Sequence, residues 1–281
     1  MKKILIMLLI LLLVNQSCFA DSLENMISPI SNPVNFEDPR INTEIRPIFM
    51  HHEIGNKFVT NGGDVQLYAL QMRFALTDNL ALIATKDGFV DFNPDSTLTD
   101  ETGFANIGGG LKYAFYKTDK EIISAGLRYE APLGNRDVFQ GNGDGFVNPF
   151  ISAAKNLGLF NIMAGSGFRL PIDDADSTFY DLDFHFSYKM DNFYPTVEVN
   201  LVHVVDGGER LGIADEGQDL FSFGSTGATG KTLVTAAFGG RYRVSKDLDI
   251  GAAYQIPLTN GDGSNIIDWR VTADAIFSFN L

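Results

Sequence analysis

The stretch Asp268-Trp269-Arg270-Val271-Thr272-Ala273-Asp274-Ala275-Ile276-Phe277-Ser278-Phe279-Asn280-Leu281 decides the fold. Trp269, Val271, Ala273, Ala275, Phe277, Phe279 and Leu281 form one apolar face, while Asp268, Arg270, Thr272, Asp274, Ile276, Ser278 and Asn280 form the other. Alternation of this kind belongs to a strand, whose successive side chains point to opposite faces. A second run repeats it: Tyr180, Leu182, Phe184, Phe186, Tyr188 and Met190 lie against Asp181, Asp183, His185, Ser187 and Lys189. In both, one face is apolar and the other carries charge.

Working outward from these runs, the same period marks twelve segments: 42–54, 64–76, 80–89, 105–116, 121–132, 148–156, 160–170, 179–190, 194–204, 231–244, 248–257 and 266–281. The connections alternate in length. Tight turns at 77–79, 117–120, 157–159, 191–193 and 245–247 interleave with mostly longer links rich in Gly, Asp and Asn. An even strand number, short turns at one end, longer loops at the other and both termini at the short-turn end together describe an all-β chain folded as a transmembrane antiparallel up-and-down β-barrel. A secreted sandwich or lipocalin-like barrel is the alternative, but it turns its charged faces to water and its apolar faces into a closed core. Large aromatics near the ends of the apolar faces, Tyr113 and Phe115, Tyr188 and Tyr194, Phe238 and Tyr242, suit interfacial girdles.

Composition narrows the classes further. The 281 residues are 45% hydrophobic and 20% charged, with 23 Phe, 28 Gly and a net charge of −14. That is too apolar for a disordered chain, and too acidic for a nucleic-acid binder. After residue 20 no apolar run approaches the length of a membrane helix. The acidity concentrates in the longer connections and in residues 21–41, so the strands are nearly neutral. A mean hydropathy of +0.02 is what alternating lipid-facing and lumen-facing residues produce.

Residues 1–20 read as a signal peptide: Lys2 and Lys3, the apolar run Ile4 to Val14, then Cys18-Phe19-Ala20 before Asp21. Cleavage there leaves a chain without cysteine. A segment at 21–41 with Pro29, Pro33 and Pro39 follows, either periplasmic or a plug, and 42–281 forms the barrel domain. With apolar faces on lipid, the lumen receives Glu44, Arg46, Arg73, Lys112, Arg128, Glu130, Arg169, Asp181, Asp183, His185, Glu198, Arg241, Arg243, Asp249, Asp268, Arg270 and Asp274. A basic residue on the lipid side at mid-bilayer costs about 2–4 kcal/mol, which fixes the choice of face. Gly108, Gly110, Gly165, Gly167 and Gly239 permit strand coiling and leave room beside the arginines. Twelve strands give a lumen between a filled one and an open channel.

Other motifs carry less. Gly224 to Thr232 resembles a phosphate-binding loop, but Ser225 stands where its first glycine belongs. His185-Phe186-Ser187 with Asn200 matches the grammar of an outer-membrane phospholipase, yet the alternation turns His185 and Ser187 inward. His51 and His52 face opposite sides and cannot chelate together, and Gly141 to Gly145 and Asn260 to Gly263 are turn chemistry. No metal or cofactor is expected.

Two stretches resemble a known family. Gly126-Leu127-Arg128-Tyr129-Glu130-Ala131-Pro132-Leu133-Gly134 with Gly141 to Gly145, and Gly239 to Arg243, Leu248 to Tyr254 and Trp269 to Phe279, are similar to the transporter family named for the "MetA pathway of phenol degradation". The resemblance implies an outer-membrane channel or transporter and, from the family's name, a phenolic or other aromatic solute. Leu281 stands where outer-membrane proteins usually end in an aromatic, while Phe277 and Phe279 keep the phase that the barrel-assembly machinery reads.

The expectation is a twelve-stranded barrel in the outer membrane of a Gram-negative-type cell, in contact with lipid and lipopolysaccharide. It passes a small solute without chemistry of its own, along a ladder of Arg46, Arg128, Arg169, Arg241, Arg243 and Arg270 facing Asp181, Asp183, Asp268 and Asp274. A lipid-modifying hydrolase using His185 and Ser187, and a structural barrel whose acidic loops bind cations, are the competing expectations.

Overall fold

The structure, a computed structural model, describes residues 22–261 and 263–279; the expected signal peptide and Leu281 lie outside them. Fourteen antiparallel strand segments form one sheet: β1 Glu44–Glu53, β2 Gly63–Ala75, β3 Leu80–Lys86, β4 Phe89–Pro94, β5 Glu101–Phe104, β6 Ile107–Lys117, β7 Glu121–Ala131, β8 Phe146–Leu157, β9 Phe160–Pro171, β10 Thr178–Tyr188, β11 Phe193–Asp206, β12 Thr232–Ser245, β13 Leu248–Pro257 and β14 Trp269–Ser278. Pairing of β1 with both β2 and β14 closes the ring, while β5, which projects beyond it, pairs among the described residues with β4 alone. Two of the staves are broken. β2 pairs with β3 through Met72–Ala75 and with β4 through Gly63–Tyr68, while β3 faces β6 and β4 faces β5. The segments β3–β4 and β5–β6 thus run in line, and the barrel has twelve staves.

Alternation alone bounds these two staves at 89 and 105; the chain continues them to Pro94 and back to Glu101. Local chemistry explains the break. Gly88 has φ +128°, and a Cβ there would meet the Tyr68 carbonyl at 2.5 Å. The Leu70 amide donates to Asp87 Oδ1 at 2.8 Å, and the Ala105 amide donates to Gly88 O at 2.9 Å. A side-chain carboxylate thus takes a ladder donor, and the period-2 pattern slips at that point.

Outside, Leu111, Leu127, Ile151, Phe184, Phe238 and Ile250 are exposed, while Arg46, Lys112, His185, Glu198 and Arg241 are fully buried inside. This reverses the arrangement of a water-soluble globule. It is the disposition of a transmembrane barrel, as the alternation requires. Tyr194, expected in the outer girdle, instead points inward and is buried beneath the Arg243 guanidinium, 5.3 Å from its ring centre. Tyr194 has the same parity along β11 as the inward Glu198, so Phe193 takes the outer position.

Replacing Gly88 by Val is expected to lower stability by about 1–3 kcal/mol, since a β-branched residue is strained at this φ and collides with Tyr68. Gly212, where an added Cβ would meet nothing within 4 Å, should accept Ala without effect. Urea midpoints of the refolded barrel in detergent micelles check both.

Candidate functional site within the barrel

Inward charges meet across the strands. Asp274 on β14 accepts from Arg46 Nε of β1 at 2.7 Å and from Arg241 Nη1 and Nη2 of β12 at 2.7 and 2.9 Å. Arg241 reaches over β13 because Gly251 offers no side chain; a Cβ there would lie 2.9 Å from both Arg241 Cζ and Asp274 Oδ1. The same device serves Lys86 on β3, which passes Gly108 of β6 to reach Glu130 of β7 at 2.5 Å. Arg169 pairs with Asp181 at 3.1 Å, Arg243 with Asp249 at 3.0 Å, and His185 Nδ1 lies 2.7 Å from Glu198 Oε1.

Residues 22–41 lie within the ring of strands. Their path enters beside the 117–120 turn, where the Leu23 amide donates to Asp119 O. It turns at Asn32, which has φ +48° and accepts the Phe36 amide at its carbonyl, then returns to β1. Wall residues hold it from all sides. The Ile30 amide donates to Glu198 Oε1 at 2.8 Å, Asn32 Nδ2 to Asp183 Oδ1 at 2.8 Å, and Arg46 to Pro29 O at 2.8 Å. Arg128 donates to Val34 O. Phe36 fills the space left by Gly165, where a Cβ would sit 2.9 Å from its ring. Glu37 accepts from Arg73 at 2.7 and 2.8 Å and from Lys112 at 2.8 Å. Burial pushes the Glu37 carboxyl up, but the two cations outweigh it and bring it down to about 2. Arg40 likewise overcomes the burial of Asp38 and holds that carboxyl far below its usual range.

At the long-loop end, residues 207–231 between β11 and β12 also fold inward. Glu216 ties the loop to itself, accepting from the amides of Gly217, Phe223 and Ser225 and from the Ser177 hydroxyl. Phe221 and Phe223 pack with Phe58, Phe92 and Phe139. Asp219 receives Arg270 Nη1 and Nη2 at 2.5 and 2.9 Å, and Gln218 O receives Arg169 Nη1 at 2.8 Å. Between this loop and the N-terminal segment remains a cavity of about 70 Å³, lined by Asn32 and Val34 from below, Leu220 and Phe221 from above, and wall residues including Leu67 and Val90. That volume holds a few waters and no organic solute.

Most of the residues expected in the lumen are buried inside the ring, but Asp268 is exposed just before β14 begins and does not join them. Nor do the arginines form a free ladder: wall carboxylates pair with them, Asp274 with both Arg46 and Arg241, Asp181 with Arg169 and Asp249 with Arg243. Gly165 makes room for a phenylalanine rather than an arginine. His185 contacts Glu198, whereas the buried Ser187 hydroxyl has no partner and lies on the inner face, away from the outer surface where phospholipid would meet it. Among the described residues no group of three or more His, Cys, Asp or Glu side chains is placed to hold a metal ion. Glu37, Asp219, Phe221 and Phe223 escape a reading by alternation because they lie outside the alternating strands. Their signal is Phe221-Ser222-Phe223 inside an otherwise Gly- and Asp-rich loop, and a Glu-Asp pair beside Arg40 in a segment carrying Ile27, Ile30 and Phe36.

No family model matches the chain, and none of the curated proteins does. Solved structures share its fold. A COG4313 outer membrane channel from Pseudomonas putida F1 superposes with TM-score 0.58 at 16% identity, over 90% of this chain and 100% of that one. The NanC porin gives TM-score 0.52 at 11% identity, over 85% of this chain and 100% of that one. The shared feature is the closed antiparallel barrel.

Replacing Asp274 by Asn leaves two buried guanidinium groups without a carboxylate and is expected to cost about 3–5 kcal/mol, read as a lower urea midpoint. For Glu37, an ordinary value of 4.5 drops to about 2 when the segment is docked. Its contribution to docking is therefore complete above pH 4.5 and drains as pH falls towards 2. Conductance in planar bilayers should not change between pH 7 and 5 through this group, should rise in stronger acid, and Glu37→Gln should lose that acid-dependent rise.

Proposed function

We propose that this chain is an exported outer-membrane channel for a small solute, closed at rest by residues 22–41 on the periplasmic side and by residues 207–231 on the outer side. The observation that carries this reading is what fills the lumen. A barrel serving only as a structural wall packs its interior with wall side chains. Here two segments that are not staves occupy it: residues 22–41 are held largely by ion pairs and hydrogen bonds to the wall, and residues 207–231 by the Asp219–Arg270 pair together with an aromatic cluster. Where water follows the departing segment, the polar contacts of residues 22–41 are exchanged for hydration, which lowers the net cost of moving it. On this reading the inward residues Arg46, Arg73, Lys112, Arg128, Glu130, Arg169, Asp181, Asp183, His185, Glu198, Arg241, Arg243, Arg270 and Asp274 line the solute path.

The five phenylalanines at the outer end of the lumen and the apolar wall of the cavity support a solute with a hydrophobic or aromatic part. The resemblance of residues 126–145 and of the C-terminal strands to the phenol-degradation transporters points the same way. Lipid and lipopolysaccharide on the outer face, insertion by the barrel-assembly machinery and removal of residues 1–20 belong to the same reading.

Planar-bilayer conductance and liposome swelling test it. The full chain is expected to show small or brief openings, and a variant lacking residues 22–36 at least a fivefold larger conductance. Two folded barrels that both fail to conduct ions or admit any small solute would sink the proposal.

A further inference from the structure

Arg270 differs from the other wall cations in where its counter-charge comes from. Its neighbours across the sheet in the same layer are His52 on β1 and Gln255 on β13, neither of which carries negative charge. His52 Nδ1 accepts from Arg270 Nε at 3.0 Å while His52 Nε2 lies 2.7 Å from Ile266 O. An accepting Nδ1 and a donating Nε2 describe a neutral imidazole that orients the guanidinium without compensating it. Among the described residues the carboxylate paired with Arg270 is Asp219, which belongs to the inward loop and not to the wall. With Asp219 withdrawn, a guanidinium side chain that is 3% exposed has no anion.

The loop reaches this position at a local cost. Gln218, the residue before Asp219, adopts φ +54°, and neither its amide nitrogen nor its amide oxygen finds a partner, although both are buried. The two-toothed contact of Asp219 with Arg270 offsets that cost, since planar guanidinium and carboxylate match in geometry. Beside the carboxylate, Leu220 and Phe221 enter the cavity against Phe139, Leu67 and Val90. The residues 219–221 thus present an acid and an apolar body to a site where Lys86 and Arg169 already have the wall carboxylates Glu130 and Asp181, Arg270 has none among the described residues, and Phe139, Leu67 and Val90 supply an apolar side.

We propose that Asp219-Leu220-Phe221 is a built-in surrogate for the solute, and that the site it fills takes an amphipathic organic anion, its carboxylate on Arg270 and its apolar part against Phe139, Leu67 and Val90. The proposal rests on the channel reading for its role in transport, while binding itself does not require permeation. The solute displaces Asp219, the loop withdraws, and the outer end of the lumen opens.

Calorimetric titration of the full detergent-solubilised chain with 3-phenylpropanoate, and with the neutral 3-phenylpropan-1-ol, tests it. Asp219→Asn removes the competitor and is expected to bind the acid at least tenfold more tightly than the unaltered chain, with little change for the alcohol. Arg270→Gln should erase the preference for the acid, and Arg270→Lys, which keeps the charge should the Gln variant fail to fold, should retain part of it. Equal binding of acid and alcohol, or no tightening in Asp219→Asn, overturns the proposal. Swelling assays separate the two readings: binding of the acid without permeation leaves the site and removes the channel, whereas permeation of neutral solutes with no preference for the acid does the reverse.

Discussion

Everything inside this barrel depends on one electrostatic constraint: a charge turned away from lipid is still not in bulk water, and must find a partner within the lumen. The wall meets this demand in part by itself. Asp274 serves Arg46 and Arg241 together, Glu130 serves Lys86, and Asp181 serves Arg169, each across a strand boundary or over a glycine that clears the way. Other cations, among them Arg73, Lys112, Arg128 and Arg270, turn partly or wholly to segments that are not staves. Incomplete compensation by the wall is therefore what draws two otherwise irregular segments into the interior.

The two segments are held differently. Residues 22–41 make dispersed contacts, with Glu37 on Arg73 and Lys112, Glu198 on the Ile30 and Ser31 amides, and a small apolar anchor of Met26 and Phe36. The loop 207–231 has a knot at Glu216 that also takes in the Ser177 hydroxyl, an aromatic cluster, and at the wall the Asp219–Arg270 ion pair beside the Gln218 carbonyl on Arg169. The charge that this loop brings to the wall sits on a single pair, which one competing anion can replace, whereas the polar contacts of residues 22–41 must be given up one by one. The cavity between them records how little room is left while both are in place.

Much of the fold is legible in the chain because the strand pattern is local. The alternation in Trp269–Phe279 and Tyr180–Tyr188 assigns each side chain to a face without knowledge of any neighbour, and the rhythm of short and long connections gives the stave number. Alternation misleads where a side chain intrudes on the ladder, as Asp87 does beside Gly88; at Tyr194 it is the aromatic-girdle expectation that fails, since alternation counted from the inward Glu198 turns Tyr194 inward as well. It also puts Asp268 inside, since alternation alone does not say where the ring of strands stops.

The sequence by itself determined the antiparallel barrel, the faces of its staves and the neutrality of its wall, because these follow from period-2 geometry and the cost of charge in lipid. Only the tertiary structure decided which charges meet. Asp274 lies 228 residues from Arg46, and Asp219 lies 51 from Arg270. Partners so far apart in the chain come together through closure of the ring and inward folding of two aperiodic segments, and neither event leaves a periodic trace in the residues that bring it about.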